Sequence, residues 1–528
     1  MPTYLTPGVY THEVSAKTAP IEGVGTSVAA FIGLAAGGPL NEPQRVSSWN
    51  EFERLFSHPA DRELGPWVDG AYMPHAVYGF FQNGGTVCWV VRVGSDDGER
   101  PRALIAAANG DSQGIEAVAR EELAGPITLT LIDEPATAEP EEASSDGGDG
   151  EERKSARRRR GNPGEPTYSV EISGPQGASE RFEGVRLSSF ATELNRKSAL
   201  VKLAGSKAEF GPLAAGSYRL EPPATVATEL DASQLAGNSA QRTGLGALFA
   251  DEEATTYCIP DAAALPDEQM RDIQAKLIAH CENGSNRMAI LDPPQEARRP
   301  QDILKWRTEI AGWDSKVAAL YYPYLKVQDP LSKQTIEVPP SGHVAGIWAR
   351  TDATRGFHKA PANEIVQNTT GLAFPVAQAE QGELNRTGIN CIRAFPARGF
   401  RVWGARTLST TAPEWRYINV RRLFNYVSAS IEQGTQWAVF ESNDEPLWTA
   451  LKISTSNFLM RLWRDGALFG RTPDEAFFVQ CDEKTNPPDL REAGQVNIHV
   501  GIAPVKPAEF VVFQISQFAD GADASVAA

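Results

Sequence analysis

Three kinds of site-forming pattern are missing from this sequence. It has no CxxC pair, no Gly-Lys-Ser or Gly-Lys-Thr, and no run of about 18 apolar residues. Its cysteines, Cys88, Cys258, Cys281, Cys391 and Cys481, are odd in number and far apart. They offer no zinc-ligand spacing, so buried thiols in a reducing compartment are expected. Without a phosphate loop the common nucleotide hydrolases are excluded. The most apolar stretch, Val28 to Leu40, is short and rich in Gly and Ala, so no membrane insertion is expected. The segment Met1 to Tyr10 has neither a basic start nor an apolar core, so no signal peptide is expected either.

Other catalytic patterns begin and stop. His12-Glu13 opens a zinc-protease motif, but Ala16 stands where the second His belongs. Gly23-Val-Gly25 is followed by Val28, so a dinucleotide fingerprint fails at its third glycine. Gly25-Thr-Ser27-Val-Ala29 lacks the last glycine of a nucleophile elbow. The His residues are scattered. Asp261 and Asp292, each at the C-terminal end of a predicted strand, occupy the edge where open α/β sheets form sites. Neither has a nucleophile or metal partner beside it, and a turn opened by Asp and stiffened by Pro293-Pro294 is the plainer reading. No catalytic residue, no cofactor, no metal and no enzymatic activity are expected.

What the chain does have is length and an uneven charge. It holds 528 residues with 41% apolar content, enough for several cored domains. The net charge of −17 argues against direct nucleic-acid binding, which needs a basic footprint. From Arg386 onward there are 15 basic and 15 acidic residues, against 35 and 52 in residues 1–385. The deficit therefore lies entirely in the first part. Arg157-Arg-Arg-Arg160 follows a run of Glu and Asp and reads as a solvated, partly self-neutralising loop.

The chain divides by composition. Residues 1–24 carry Pro2, Pro7, Gly8, Pro20 and Gly23, which forbid a helix and predict an extended arm. Its strand-like residues are Tyr4, Val9, Tyr10 and Val14. Residues 25–95 read as α/β: a strand over Ser27–Gly33, a capping box Ser48-Trp-Asn-Glu51 before a helix with Phe52, Leu55 and Phe56 on one face, a helix over Val68–Gln82, and a strand over Thr86–Val93. Residues 96–240 hold β-like pieces at Ile127–Ile132, Tyr168–Ile172 and Ser217–Leu220. They read as a β-rich inserted outer domain with a flexible loop, 134–166, too polar to order itself. Residues 241–384 return to alternation: strands Thr255–Pro260, Arg287–Asp292 and Val317–Tyr322, with helices over Pro266–Cys281 and Ile303–Asp314. This order predicts a doubly wound sheet completed by residues 25–95.

Residues 385–507 predict an α+β domain. One helix over Trp415–Gln433 places Val420, Phe424, Val427 and Ile431 inward. A second, capped by Asn443 or Asp444 and running to Asp465, places Leu447, Leu451, Phe458 and Leu462 inward. Strands are predicted over Phe477–Cys481, Val496–Ile502 and Glu509–Gln517. Residues 508–528 form a terminal strand arm whose apolar side chains are Phe510, Val511, Val512, Phe513 and Ile515.

Several long segments resemble the contractile tail sheath family of phage tails and phage-tail-like injection systems. They are Asn385-Arg-Thr-Gly-Ile-Asn-Cys-Ile-Arg-Ala-Phe395, Gly399-Phe-Arg-Val-Trp-Gly-Ala-Arg-Thr-Leu408, Ala318-Ala-Leu-Tyr-Tyr-Pro-Tyr-Leu-Lys-Val327, Val338 to Asp352, Lys359-Ala-Pro-Ala-Asn363 and the Pro7-Gly-Val-Tyr10 start. They lie in order along nearly all of the chain except residues 96–240. The resemblance implies an α/β sheath core, an inserted domain, an inner C-terminal domain and arms that pair with neighbouring subunits. It implies a homo-oligomer of stacked six-fold rings in a helical polymer, surrounding an inner tube protein and bounded by baseplate and terminal cap proteins. It implies assembly in the cytoplasm of a bacterial cell and contraction without a nucleotide. Arg461 and Arg464, on the exposed side of the second helix, are candidates for an inner-tube contact, although an ordinary solvated face explains them equally well. A static shell or non-contractile tube protein is the alternative reading. It accounts for polymerisation but not for paired terminal arms.

Overall fold

The computed structural model describes residues 20–58, 62–94, 101–108, 115–120, 127–134, 166–174, 178–204, 212–220 and 230–512. Its centre is a nine-stranded sheet. In spatial order the strands are Glu364–Ile365, Gly399–Val402, Ile389–Phe395, Ala318–Tyr322, Met288–Leu291, Thr256–Cys258, Ala29–Gly33, Cys88–Arg92 and Gln44–Val46. The six from Ile389–Phe395 to Cys88–Arg92 run parallel, and antiparallel strands close both edges. The strands Ala29–Gly33, Thr256–Cys258, Met288–Leu291 and Ala318–Tyr322 are buried at every position, as a parallel sheet covered on both faces requires.

The strand order moves in opposite directions from Ala29–Gly33 to Cys88–Arg92 and from Thr256–Cys258 to Met288–Leu291. Right-handed crossovers then put the helices Met73–Gln82 and Asp267–Glu282 on opposite faces. The helix Ser341–Arg355 lies against Met73–Gln82, and its Gly342 and Gly346 leave room for the carbonyls of Ala76 and Phe80. The mixed α/β, doubly wound body expected from the alternation of apolar runs is therefore what the chain forms.

Local signals set these elements only in part. Ser48 Oγ caps its helix by accepting from the Glu51 N–H at 3.3 Å. The Glu51 carboxylate turns back to the N–H and hydroxyl of Ser47, at 2.8 and 2.7 Å, one residue earlier than in a capping box. The helix expected from Val68 begins at Met73. Gly70 at φ +77° turns the chain first, and the buried Asp261 carboxylate accepts from the Tyr72 and Met73 N–H groups at the new start. The helix near Ile303 starts at Pro300, widens into a π-helical turn at Trp306–Ala311 and ends at Gly312, φ +63°.

Between the body strands Cys88–Arg92 and Thr256–Cys258, two antiparallel sheets form a separate core. One orders Gly216–Leu220, Ile127–Glu134, Thr167–Ser173 and Ser179–Arg186; the other orders Arg102–Ile105, Ile115–Ala119 and Val201–Ala204. Leu129, Tyr168, Val170, Ile172, Phe190 and Leu194 fill that core. Most of the loop expected over 134–166, with Arg157–Arg160, falls outside the described residues. In the last third, helices Ile418–Gly434 and Glu445–Arg464 pack their predicted stripes inward, and Asp444 caps the second by accepting from the Leu447 N–H at 3.2 Å. Phe424 departs from that pattern: it is half-buried and meets Trp415 edge-on.

One grouping differs. Ile389–Phe395 and Gly399–Val402, which composition joins to the last third, extend the central sheet through the pairing of Leu320 with Ile389. Their parallel partner is distant in sequence, so local composition cannot reveal it. All five cysteines are free and buried. Among the described residues no helix is long and apolar enough to cross a membrane, and no group of three His, Cys, Asp or Glu is placed to hold a metal.

Asp261 and Asp292 are structural. Asp261 also accepts from the Leu34 N–H at 2.6 Å, and Asp292 from the Ser341 N–H at 2.8 Å, at the start of the helix Ser341–Arg355. Burial pushes their carboxyls up to about 6 and about 7 against these bonds. A carboxyl raised on folding binds its proton more tightly in the folded state. Folding is then favoured at low pH and loses stability as pH rises from the unfolded value, about 4, toward the folded one. Asp292→Asn keeps an oxygen for Ser341 and removes that penalty. It should raise the thermal unfolding midpoint at pH 8, by the equivalent of about 1–3 kcal/mol, and change it little at pH 4. An equal shift at both pH values would show that ionisation plays no part.

Candidate intersubunit linkage site

The two ends of the described chain meet on the last third of the protein. At the N-terminal end, Ile21 is fully buried among Leu423, Val427, Phe458, Leu459 and Leu462, between the two long helices. Gly434 makes the seat: a Cβ there would stand 2.7 Å from Ile21. Gly23 passes so close to the Tyr426 hydroxyl that no side chain fits. Arg461 donates to the Ile21 carbonyl, the Val24 N–H donates to Ser430 Oγ at 3.2 Å, and Arg422 Nη2 donates to the Thr26 carbonyl at 2.9 Å. Residues 21–26 are thus fastened to the helices before they enter the central sheet at Ala29.

Arg422 also joins the last third to the body. Its guanidinium binds both oxygens of Asp352 on the helix Ser341–Arg355, at 2.8 and 2.5 Å, and lies 5.0 Å over the Trp348 ring. The two charged side chains are only 6% and 5% exposed. Asn419 adds bonds to the carbonyls of His358 and Val505, at 2.9 and 3.0 Å.

At the C-terminal end one carboxylate holds the chain. Glu509 accepts from Arg406 Nε at 2.9 Å and Nη2 at 2.6 Å, from Asn385 Nδ2 at 2.8 Å, and from the Tyr417 hydroxyl at 3.0 Å. Burial works to raise its pKa, but the bonds from Arg406, Asn385 and Tyr417 and the guanidinium charge outweigh it and hold the carboxyl below its usual value. Immediately beyond this clamp, Phe510, Val511 and Val512 are 75%, 70% and 89% exposed. Among the described residues they pair with no strand.

A short sheet lies between these ends. Phe477–Gln480 pairs antiparallel with His499–Ile502, and no third strand lies beside either among the described residues. Phe478 covers Gly501, whose bare backbone is needed because a Cβ would stand 2.0 Å from that ring. Two strands alone are marginal in water, and open edges are templates for a further strand. The predicted strand over Val496–Ile502 is shortened to its last four residues.

Of the arm residues expected from the sequence, Tyr4, Val9, Tyr10, Val14, Phe513 and Ile515 lie outside the described residues. Phe510, Val511 and Val512 are brought to one place, as an exposed apolar run. Arg461 and Arg464 sit in the last turn of Glu445–Arg464, where cations suit the helix dipole. Arg461 is engaged with Ile21, and Arg464 is exposed. Sequence reasoning missed Ile21, Arg422, Asp352, Arg406 and Glu509. Glu509 did leave a signal: it is the only charge between Lys506 and Asp520, at the head of an apolar run.

Known proteins resemble this chain in sequence and in fold. Residues 240–408 match the family model described as the phage tail sheath protein central domain, and residues 410–518 match the phage tail sheath C-terminal domain. The tail sheath protein of Burkholderia phage BcepMu is 23% identical over 525 residues, covering 96% of this chain and 95% of that protein. The tail sheath protein of Vibrio phage KVP40 is 28% identical over 189 residues, 35% of this chain but only 27% of that longer protein. In fold, the chain is similar to the sheath complex of an extracellular contractile injection system, PVC, in its contracted state. The TM-score is 0.57 at 22% identity, over 98% of this chain and 99% of that one.

The Glu509 clamp makes a pH-dependent prediction. A carboxyl depressed on folding stabilises above its unfolded value, about 4.3, and that stabilisation is lost as pH falls through the folded value. Glu509→Gln leaves Arg406 without its charged partner. Amide exchange over residues 503–509 should then speed up by about tenfold or more at pH 7. The difference from wild type should vanish below the usual carboxylate range. Unchanged exchange at pH 7 would remove Glu509 as the clamp.

Proposed function

We infer the function from a plain premise: the chain belongs to the phage tail sheath family. The protein is a structural subunit of a contractile sheath. It polymerises as stacked six-fold rings around an inner tube, is held in a metastable extended state, and shortens to drive the tube through a target envelope. It acts without catalysis or cofactor. It assembles in the cytoplasm of a bacterial cell with tube, baseplate and terminal cap proteins, as part of a phage tail or phage-tail-like particle.

The observation that carries this reading is the pairing of firmly clamped chain ends with an exposed apolar segment and a two-stranded sheet. We read residues 410–507 as the linking domain and the central sheet, through Leu408, as the body it moves. The segment from Phe510 would add to the sheet of a neighbouring subunit, and the N-terminal arm to another edge. Strand addition suits a moving lattice because backbone hydrogen bonds tolerate rotation of the rest of the subunit. About six paired residues give roughly 6 hydrogen bonds of ~1 kcal/mol each. Ordering them costs roughly 1–2 kcal/mol apiece. Burial of Phe510, Val511, Val512, Phe513 and Ile515, at about 25 cal/mol per Å², tips the balance. Several links per subunit add avidity. For the tube contact, Arg464 is the member of the Arg461 and Arg464 pair with no ion pair or side-chain hydrogen bond among the described residues, and we read it as facing an acidic tube surface.

Electron microscopy of the purified protein should show hollow, cogwheel-profiled cylinders in two lengths per repeat. A single repeat under all conditions would favour the static tube, and a monodisperse globule would sink both. Deleting residues 2–19, or combining Val511→Asp with Phe513→Asp, should leave folded subunits that no longer sediment as long polymers. Undiminished sedimentation would overturn strand exchange. Arg464→Glu leaves the Ile21 seat intact and should weaken co-purification with the inner tube severalfold; unchanged recovery would remove this residue from the interface.

A further inference from the structure

Beside the Glu509 clamp lies a cleft of about 230 Å³, lined by Arg386, Arg406, Thr407, Ser409, Thr410 and Arg416 among others, with no acidic residue in its wall. Its hydroxyls are occupied. Thr407 donates to the Trp415 carbonyl, Ser409 to the Ala412 carbonyl, and Thr410 bonds Asp314 at the rim. Arg406 is paired with Glu509. Arg386 and Arg416 are exposed and enter no ion pair or side-chain hydrogen bond among the described residues. The open donors of the cleft are thus two guanidinium groups, which fit carboxylates.

We propose that this cleft seats the acidic tail of a neighbouring copy of the chain, through Asp520 and Asp523. Three observations select that occupant. After Glu509 the sequence carries Asp520 and Asp523 and no basic residue, so the tail is purely acidic. The chain's own segment is exposed to solvent at Phe510–Val512, immediately beyond the clamp. The chain lengths are also comparable. Ile502, at the end of the open sheet, and Glu509 are seven positions apart. Gln517 and Asp523 are six positions apart, a reach of up to ~20 Å. The inference rests on the strand-donation reading, since a strand added to that sheet brings its tail to this neighbourhood. It extends that reading by giving the donated arm a polar lock at its tip, where backbone pairing alone sets no register.

The test uses the full chain and sedimentation across salt. Arg386→Glu with Arg416→Glu, and separately Asp520→Arg with Asp523→Arg, should each raise the concentration for half-maximal assembly about tenfold at low salt, with the gap to wild type closing near 0.5 M as charges are screened. The four changes combined should restore assembly, which no folding defect would do. Wild-type assembly by either pair at low salt, or no recovery in the combination, overturns the proposal. The arm variant Val511→Asp with Phe513→Asp separates the layers. If it fails to assemble while the cleft variants succeed, donation stands and the tail seat is wrong. If it assembles as well, donation itself fails.

Discussion

The buried ion pair of Arg422 and Asp352 is the tightest charged constraint between the long helices and the body. One guanidinium holds the body through Asp352 and Trp348, and holds the incoming chain through the Thr26 carbonyl. Such a pair adds little net stability, because desolvation offsets most of the attraction. Breaking it is another matter: removing one partner strands a buried charge, at about 3–5 kcal/mol. The pair therefore acts less as glue than as a constraint. It fixes one orientation of the long helices on the central sheet. A pull on an arm is then transmitted to the body rather than dissipated in a soft joint.

Around that joint, firmness and softness alternate along the chain. Ile21 is locked between helices, and Glu509 is locked by four bonds from three residues. The next residues outward are exposed and enter no strand pairing among the described residues. The short sheet proposed to receive them shows two strands among the described residues, so an added third would stabilise it. A linkage of this kind is strong where position matters and adaptable where subunits must rotate. Arms anchored loosely would stretch before they pulled. Arms buried in their own chain would have to be released before they could link.

The body was largely readable from the sequence because continuous apolar runs such as Ala29–Gly33 and Ala318–Tyr322 have few alternatives to a buried parallel strand. The stripes of the two long helices were readable for the same reason. What stayed hidden was fixed by partners remote in sequence. Asp261 sets the start of the helix at Met73 from 188 residues away. Ile389–Phe395 joins the central sheet by pairing with Ala318–Tyr322. The linkage site was half legible: the exposed run Phe510–Val512 follows from its composition. The clamp does not, because nothing local to Glu509 indicates Arg406, Asn385 or Tyr417. Ile21 looked like part of the extended arm, since its pocket is built by helices some 400 positions later.

Charge completes the physical picture. The net charge of −17 belongs entirely to residues 1–385, while the last third is neutral. In a close-packed polymer the bodies repel one another, over a range of about 8–10 Å at ordinary ionic strength. The links cannot rely on bulk electrostatic attraction, because the linking domain has no net charge to offer. In the proposed linkage most of the attraction comes from backbone pairing and apolar burial, which salt scarcely screens, with the charged tail seat as a local addition. Repulsion between bodies disfavours any lattice in which they crowd and favours one in which they move apart. Acidic bodies and inserted domains on a neutral joint thus disfavour crowding in any polymer of this chain, and the proposed strand links would keep subunits connected as they move apart.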